Sequence, residues 1–234
     1  MNLGILETGA PPADLKDRFG SYGDMFRRLL GPGYRYSYYD LRAGKLPDPA
    51  SSHDAYLISG SASGVHDGDP WIEALKTFIR ELSGGTPLVG ICFGHQIMAE
   101  AYGGRVIKSP KGWGVGLHSY EIKRRAAWMS SDGVPTLKIP VSHQDQVTEL
   151  PQGATVLAAS EFTPYAVIEY SERRAISFQG HPEFSPEYAA ALIDLRRGTL
   201  YRQDFADAAV ASLQEPNDAQ RVASWVRNFL DASR

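Results

Sequence analysis

The chain has 234 residues, of which 43% are hydrophobic and 22% are charged, and its formal net charge is −3. The hydrophobic fraction is ordinary for a globular protein, and the mild negative charge excludes the basic face that nucleic acids require. With one cysteine, Cys92, the chain can form no internal disulfide and no cysteine-based zinc cluster. Any thiol chemistry must therefore use Cys92.

The first hundred residues alternate between apolar runs and amphipathic segments. Apolar runs predict strands at residues 2–6, 34–41, 55–58 and 87–91. Helical spacing predicts a helix over about residues 14–30, weakened by Gly20 and Gly23, one that begins at Asp69-Pro70 and ends at residues 83–85, and one over 94–102. This order favours an α/β fold with a mostly parallel sheet and helices on both faces.

The second half has a different pattern. Six short β-like runs between residues 106 and 179 are separated by turn residues and predict antiparallel hairpins. Helices are predicted over residues 186–196, 204–213 and 218–232. Because no repeat, low-complexity tract or linker interrupts the chain, we expect a single domain over residues 1–234, in which residues 196–234 form a C-terminal helical extension.

The chain carries no sign of targeting, membrane insertion or metal binding. The apolar start is short, no basic segment precedes it, and no window approaches 18 apolar residues. We therefore expect a cytoplasmic protein with its natural start. His53, His66 and His118 are scattered without metal-ligand spacing, so no metal is expected.

The most informative segment surrounds the cysteine. An apolar strand ends at Cys92 and a helix begins directly after it, with Gly90 and Gly94 on either side. This pattern is typical of a strained turn that lifts a nucleophile above the carboxyl ends of the strands. The amino end of the following helix would favour the thiolate, and the Phe93 N–H would be free to meet an oxyanion. A buried core cysteine is the alternative reading of this pattern when it stands alone.

Two motifs together resemble a known family. Residues 90–96, which read Gly-Ile-Cys-Phe-Gly-His-Gln, resemble the nucleophile motif of class I glutamine amidotransferases. That family has a second motif downstream, and residues 176–184 are similar to it, with His181-Pro182-Glu183 placed 89 residues after the cysteine. The resemblance implies a flavodoxin-like, mostly parallel sheet, with short antiparallel β-hairpins in the second half.

The resemblance also implies the catalytic roles. Cys92 would be the nucleophile, His181 would hold the thiol proton and later protonate the leaving group, and Glu183 would orient the imidazole. The oxyanion hole would use the N–H of Phe93 and one from the turn at Gly60 or Ser61. Many relatives carry Gly-Gly-Pro or Gly-Pro-Gly where this chain has Gly-Ser-Ala at residues 60–62, which is a departure from the family pattern.

Substrate contacts are implied in the same way. Gln96 matches a residue that contacts the bound glutamine in the family. Ser142, His143 and Gln144 resemble the Ser-His-x-Asp-x-Val segment of GMP synthetase glutaminase domains, whose backbone helps hold the amino-acid head. Residues 112–114 are a further candidate wall of the pocket, and His95 is interpreted as structural.

The implied reaction is hydrolysis of a γ-glutamyl amide through a thioester, with no cofactor. Only 51 residues follow Glu183, too few for an acceptor domain, so we expect ammonia to pass to a separate synthase subunit. A standalone γ-glutamyl peptidase that acts on glutathione-like compounds is the first alternative. A non-catalytic binding protein on the same scaffold is the second, and the intact set of Cys92, His181 and Glu183 argues against it. A cysteine peptidase of the same fold is disfavoured because Phe93, not histidine, follows the cysteine. We expect neither nucleic acid nor a membrane as a partner.

Overall fold

A nine-stranded sheet organises the computed structural model, which describes residues 1–48, 53–82, 85–130 and 132–232. In chain order the elements are β1 (Asn2–Glu7), α1 (Ala13–Phe19), α2 (Tyr22–Leu30), β2 (Arg35–Asp40), β3 (Ala55–Ile58), α3 (Pro70–Glu81), β4 (Leu88–Ile91), α4 (Phe93–Ala101), β5 (Arg105–Lys108), β6 (Gly114–Ile122), β7 (Thr136–His143), β8 (Asp145–Glu149), β9 (Ala154–Ala159), β10 (Val167–Tyr170), β11 (Ala175–Phe178), α5 (Pro186–Arg196), α6 (Gln203–Ser212) and α7 (Ala219–Asp231). The predicted α/β class is confirmed.

The sheet has a parallel half and an antiparallel half. Its strand order is β2-β1-β3-β4-β11-β10-β9-β6-β7. The first five strands pair in parallel, and the remaining four continue the sheet in antiparallel pairs. The predicted hairpins therefore extend the central sheet, with β11 as the strand that joins the two halves.

Alternating side chains of the parallel strands enter two apolar cores, one on each face of the sheet. In β1, Leu3 and Ile5 belong to one core and Leu6 to the other. The first core contains the apolar faces of α1, α2, α5 and α7, and the second contains those of α3 and α4. This period of two is the pattern of a strand that is buried on both faces, and it explains why these strands are apolar runs in the sequence.

The helix predicted over residues 14–30 is wrong in its extent, because the chain forms two helices there. Gly20 adopts φ +83°, which ends α1, and Ser21 caps α2. The Ser21 hydroxyl accepts from the Asp24 N–H at 3.1 Å, and the Asp24 carboxylate accepts from the Ser21 N–H at 2.9 Å. This reciprocal pair satisfies two N–H groups at the helix start and so favours a new helix over a continuous one.

Smaller differences from the sequence prediction concern the edges of the molecule. β8 was not predicted as a strand, and it pairs with β5 in a separate two-stranded sheet. The helix predicted to begin at Asp69-Pro70 has its predicted end at residues 83–85, which lie partly outside the described residues. In the structure this helix is α3, which ends at Glu81. Among the helices that the structure describes, none combines the length and apolar character needed to cross a bilayer.

The parallel half of the sheet brings four strand ends to one edge. Since β1, β3, β4 and β11 run in the same direction, the residues that follow each of them meet at their carboxyl ends. Those residues are Thr8, Ser59, Cys92 and Gln179. Open α/β sheets bind ligands at this edge, so the fold itself points to a site there.

The close packing of α4 on β3 generates a stability prediction. A Cβ atom on Gly94 would lie 2.5 Å from the Ile58 carbonyl oxygen, which is backbone and cannot swing aside. We therefore expect Gly94→Ala to lower the free energy of unfolding by about 1–3 kcal/mol despite alanine's better helix propensity. Gly33→Ala is the control, because nothing lies within 4 Å of its added methyl group. Equal midpoint temperatures of thermal unfolding in the two variants would contradict the steric contact expected at Gly94.

Candidate active site

Cys92 occupies a strained turn between β4 and α4. Its backbone has φ 52° and ψ −100°, a left-handed value that few residues other than glycine adopt. The Cys92 N–H donates to the Phe178 carbonyl at 2.8 Å, and its own carbonyl accepts from the Gln96 N–H at 3.0 Å. The surrounding structure thus holds the strained conformation, which aims the thiol off the end of the strand and over the start of the helix.

His181 and Glu183 reach the same place from the end of β11. The His181 N–H donates to the Pro140 carbonyl at 2.8 Å, which fixes the chain beside β7. The His181 Nδ1 lies 2.8 Å from Glu183 Oε1, with both side chains buried, and the Cys92 thiol lies beside the same imidazole. The structure therefore brings the three predicted catalytic side chains together, in the order thiol, imidazole, carboxylate.

The charge state of the imidazole follows from its two acidic neighbours. Burial lowers the pKa of His181, but the negative charges of Cys92 and Glu183 outweigh that effect and raise its pKa to about 10. The protonated form therefore stabilises the folded state below the unfolded value of about 6.5, and this contribution is lost as the pH rises toward 10. Phe184 stacks on the imidazole with ring centroids 3.9 Å apart, which keeps that face dry.

The turn after β3 is held against the end of β1. The Thr8 hydroxyl lies 2.9 Å from the Ser59 carbonyl oxygen and 3.1 Å from that of Gly60, and the Ser61 hydroxyl donates to the Thr8 carbonyl at 2.7 Å. Because a trans peptide directs its N–H opposite to its carbonyl, the N–H groups of Gly60 and Ser61 both point away from Thr8. Either of them can be the second oxyanion donor.

Gly60 is also important because a side chain at this position would collide with His181. A Cβ atom at this position would lie 2.8 Å from the His181 ring and 3.6 Å from the Cys92 Cβ. The turn thus passes directly over the cysteine and histidine, and only a residue without a side chain fits there. Phe93 is the first residue of α4, where an N–H has no acceptor within the helix, so it stays available at the thiol.

These groups open into a cleft of about 530 Å³. The predicted substrate contacts Gln96, Ser142, His143 and Gln144 line it together with Cys92 and Ser61. Of the predicted wall at residues 112–114, Trp113 lines it. The volume falls within the range of about 300–1,000 Å³ that is typical of small-molecule sites. The cysteine motif and the predicted substrate contacts therefore converge on one concave surface.

Hydrogen bonds between side-chain amides link the Cys92 thiol to Asp145, which directly follows the predicted substrate contacts at residues 142–144. Gln96 Nε2 donates to the Asp145 carbonyl at 2.8 Å and lies 3.3 Å from Gln179 Oε1. Gln179 Nε2 in turn donates to Cys92 Sγ at 3.8 Å. Gln179 is fully buried, so this donor faces the sulfur in a dry environment. It can stabilise negative charge on the thiol.

Two buried histidines near the site are neutral. Burial lowers the pKa of His143 to about 3, and its Nδ1 lies 3.2 Å from the Asp145 carbonyl. Burial also lowers the pKa of His95 to about 3, and its Nδ1 lies 2.8 Å from Ser177 Oγ on β11. His95 thus fastens α4 to the sheet on the side away from the cleft, as expected for a structural residue. In the described residues, no group of three or more His, Cys, Asp or Glu side chains is placed to hold a metal ion.

The sequence patterns do not identify every residue of the site, and Thr8, Gln179 and Arg196 are among those they miss. Thr8 follows the predicted first strand, Gln179 belongs to the downstream motif but has no predicted role, and Arg196 is predicted only as the end of a helix. Gln179 could have been found, because it lies two residues before His181 in the downstream motif. Thr8 and Arg196 carry no sequence signal, since each is brought to the cleft by the packing of a distant element.

Comparisons with known proteins identify the family and the fold of this chain. The family model for glutamine amidotransferase class-I matches residues 33–194. Gamma-glutamyl peptidase 5 of Arabidopsis thaliana is 32% identical over 92% of this chain and 90% of its own. The GMP synthase (glutamine-hydrolyzing) of Aquifex aeolicus is 40% identical over 42% of this chain and 19% of its own. A glutamine amidotransferase structure from Thermotoga maritima superimposes with a TM-score of 0.76, at 19% identity over 99% of this chain and 97% of that one.

The two charges beside His181 generate a titration prediction. Glu183→Gln removes one of the negative charges that raise the His181 pKa while keeping the side chain's shape. We expect the pKa of His181 to fall by at least one unit, measured by NMR titration of its ring protons. The ring signals of His95, whose imidazole is bonded to Ser177 and not to Glu183, serve as the internal control. An unchanged His181 titration in the folded variant would show that Glu183 does not set its charge state.

The amide donor at the sulfur generates a reactivity prediction. Gln179→Leu removes the hydrogen bond to Cys92 Sγ without removing side-chain bulk. We expect alkylation by iodoacetamide at pH 7 to slow about three- to tenfold, the worth of one lost hydrogen bond to the thiolate. Because the chain has one cysteine, the rate reports this thiol alone. Gln152→Leu, an exposed position, is the matched control, and equal rates in the two variants would exclude the role of Gln179.

Proposed function

The chain belongs to the class I glutamine amidotransferases, and we propose that it is a cysteine amidohydrolase that cleaves the amide bond of a γ-glutamyl compound. The observation that carries the proposal is the buried His181–Glu183 pair beside the strained Cys92 thiol. An imidazolium with a raised pKa next to a thiol is the arrangement that an activated cysteine nucleophile needs.

The proposed reaction has two steps. Cys92 Sγ attacks the amide carbon, the negative charge on the oxygen is met by the N–H of Phe93 and that of Gly60 or Ser61, and the carbon–nitrogen bond breaks as His181 protonates the departing amine. A γ-glutamyl thioester remains on Cys92. Neutral His181 then takes a proton from water, the hydroxide attacks the thioester, and glutamate leaves as the thiolate reforms. Glu183 keeps the imidazole oriented in both steps.

A γ-glutamyl peptide is the substrate class that we favour. The gamma-glutamyl peptidase of Arabidopsis aligns along nine-tenths of both chains, so the likeness extends well beyond the two motifs. A cleft of about 530 Å³ has room beyond a single amino acid. Glutamate release from such a peptide needs no second protein.

A glutaminase that passes ammonia to a separate synthase is the second candidate. It is favoured by the likeness to GMP synthase, which is high but is limited to about two-fifths of this chain. The chemistry at Cys92 would be the same, with ammonia as the leaving group. The two candidates differ in whether hydrolysis of a peptide proceeds without a partner.

The first test is covalent labelling and its loss. We expect a glutamine-analogue diazoketone to modify Cys92, located by mass mapping, and Cys92→Ala to release glutamate at least a thousandfold more slowly than the wild type. Gln152→Leu should label and react like the wild type. Modification at another residue, or no labelling of folded protein together with no glutamate release, would refute the proposal.

A substrate panel then separates the two candidates. Glutamate release is measured from glutamine, glutathione and γ-glutamylglycine with the purified chain alone. Turnover of a γ-glutamyl peptide at a higher kcat/KM than glutamine supports the peptidase. Preference for glutamine, or labelling of Cys92 without turnover of any peptide, supports the glutaminase.

A further inference from the structure

Arg196, the last residue of α5, places its guanidinium in the catalytic cleft. Its Nη1 donates to Ser142 Oγ at 3.0 Å and to the Tyr201 hydroxyl at 3.2 Å. The side chain lines the cleft together with Cys92 and Gln96. Both of its hydrogen-bond partners are neutral hydroxyls, so they orient the guanidinium without neutralising its charge.

No carboxylate in the described part of the chain forms an ion pair with Arg196, unlike its neighbour. Arg197 pairs with Asp194 at 2.7 Å and also contacts Asp207. Arg196 is half-buried beside Trp113 and Tyr201, whose rings pack edge-to-face 5.6 Å apart. A cation in such surroundings interacts strongly with a carboxylate, because apolar neighbours weaken the screening by water.

Lys108 is another cation of the cleft, and the Asp145 carboxylate lies near it. Burial raises the pKa of Asp145, and the nearby Lys108 ammonium opposes that shift. Asp67 lies close to Asp145, since a Cβ atom added to Gly64 would be 3.1 Å from the Asp67 carboxylate and 3.2 Å from that of Asp145. Arg196 is therefore the better receptor for an incoming anion.

The position of Arg196 defines which part of a substrate it would meet. The His181 N–H donates to the Pro140 carbonyl of β7, and Ser142, which Arg196 contacts, is two residues or about 7 Å further along that strand. The charges of Glu183 and Arg196 also both act on the pKa of Tyr22 and on that of Tyr188, so Arg196 lies on the side of the thiol that holds His181 and Glu183.

Gln96, one of the residues expected to contact the amino-acid head, donates to the Asp145 carbonyl at the start of β8. The backbone of residues 142–144 is expected to hold the same head, whereas Arg196 is bonded to the Ser142 hydroxyl. Since His181 protonates the leaving amine, Arg196 borders the space for the leaving half.

We propose that Arg196 binds a carboxylate on the leaving amine, so that the preferred substrates are γ-glutamyl peptides whose amine half is an amino acid with a free carboxyl group. This inference rests on the proposed function and deepens it. It makes Arg196 a specificity residue that favours such peptides over glutamine, whose leaving group is ammonia. A bidentate guanidinium–carboxylate pair supplies both affinity and orientation.

The test removes the charge from each partner in turn. The kcat/KM values for γ-glutamylglycine and γ-glutamylglycinamide, in which an amide replaces the carboxylate, are compared in the wild type and in Arg196→Gln. We expect the wild type to prefer the acid about ten- to hundredfold and Arg196→Gln to lose most of that preference while cleaving the amide at a similar rate. Arg196→Lys should recover part of it. Arg202→Gln, an exposed arginine outside the cleft, is the control and should behave as the wild type.

A binding measurement provides a readout that does not depend on turnover. In a Cys92→Ala background, calorimetry should give a weaker Kd for γ-glutamylglycine after Arg196→Gln and little change for the glycinamide. Equal loss for both ligands, or an acid preference that survives Arg196→Gln in folded protein, would overturn the role of Arg196 while leaving the amidohydrolase intact. Failure of the wild type to cleave any γ-glutamyl compound would refute the proposed function instead.

Discussion

The parallel pairing of β4 with β11 is the interaction on which the site depends. Phe178 is in register with Ile91, and its carbonyl accepts the Cys92 N–H at 2.8 Å. This single alignment sets residues 92 and 181 at neighbouring strand ends although 89 residues separate them. A shift of register by one residue would turn the side chains of β11 to the opposite face and separate the imidazole from the thiol.

The alignment of β4 with β11 also determines the electrostatics of the site, because it brings its ionisable side chains together. Cys92, His181 and Glu183 are all buried, and buried charges are costly unless they are paired. Their mutual contacts supply that pairing, and the ring of Phe184 stacked on the imidazole excludes water from it. The result is a compact group whose protonation depends on its own neighbours more than on the solvent.

Elements around this group divide the cleft into two sides. The turn at Gly60 and Ser61 covers the thiol and is held by Thr8, while Gln179 and Gln96 link the thiol to Asp145 at the start of β8. The other side is built by the end of α5 and the segment after it, which lie outside the two motifs. The motif residues and this second side are thus provided by different parts of the fold.

Local patterns in the sequence determined much of this protein: the α/β class, most strand and helix positions, and the cysteine turn with its histidine and glutamate. They were wrong about the helix over residues 14–30, where a positive φ at Gly20 and the capping pair of Ser21 and Asp24 begin a second helix. Only the tertiary structure decided where Thr8, Gln179 and Arg196 lie relative to the site. Periodicity and motifs record interactions between residues close in sequence, whereas these three act through contacts that packing creates between distant strands and helices.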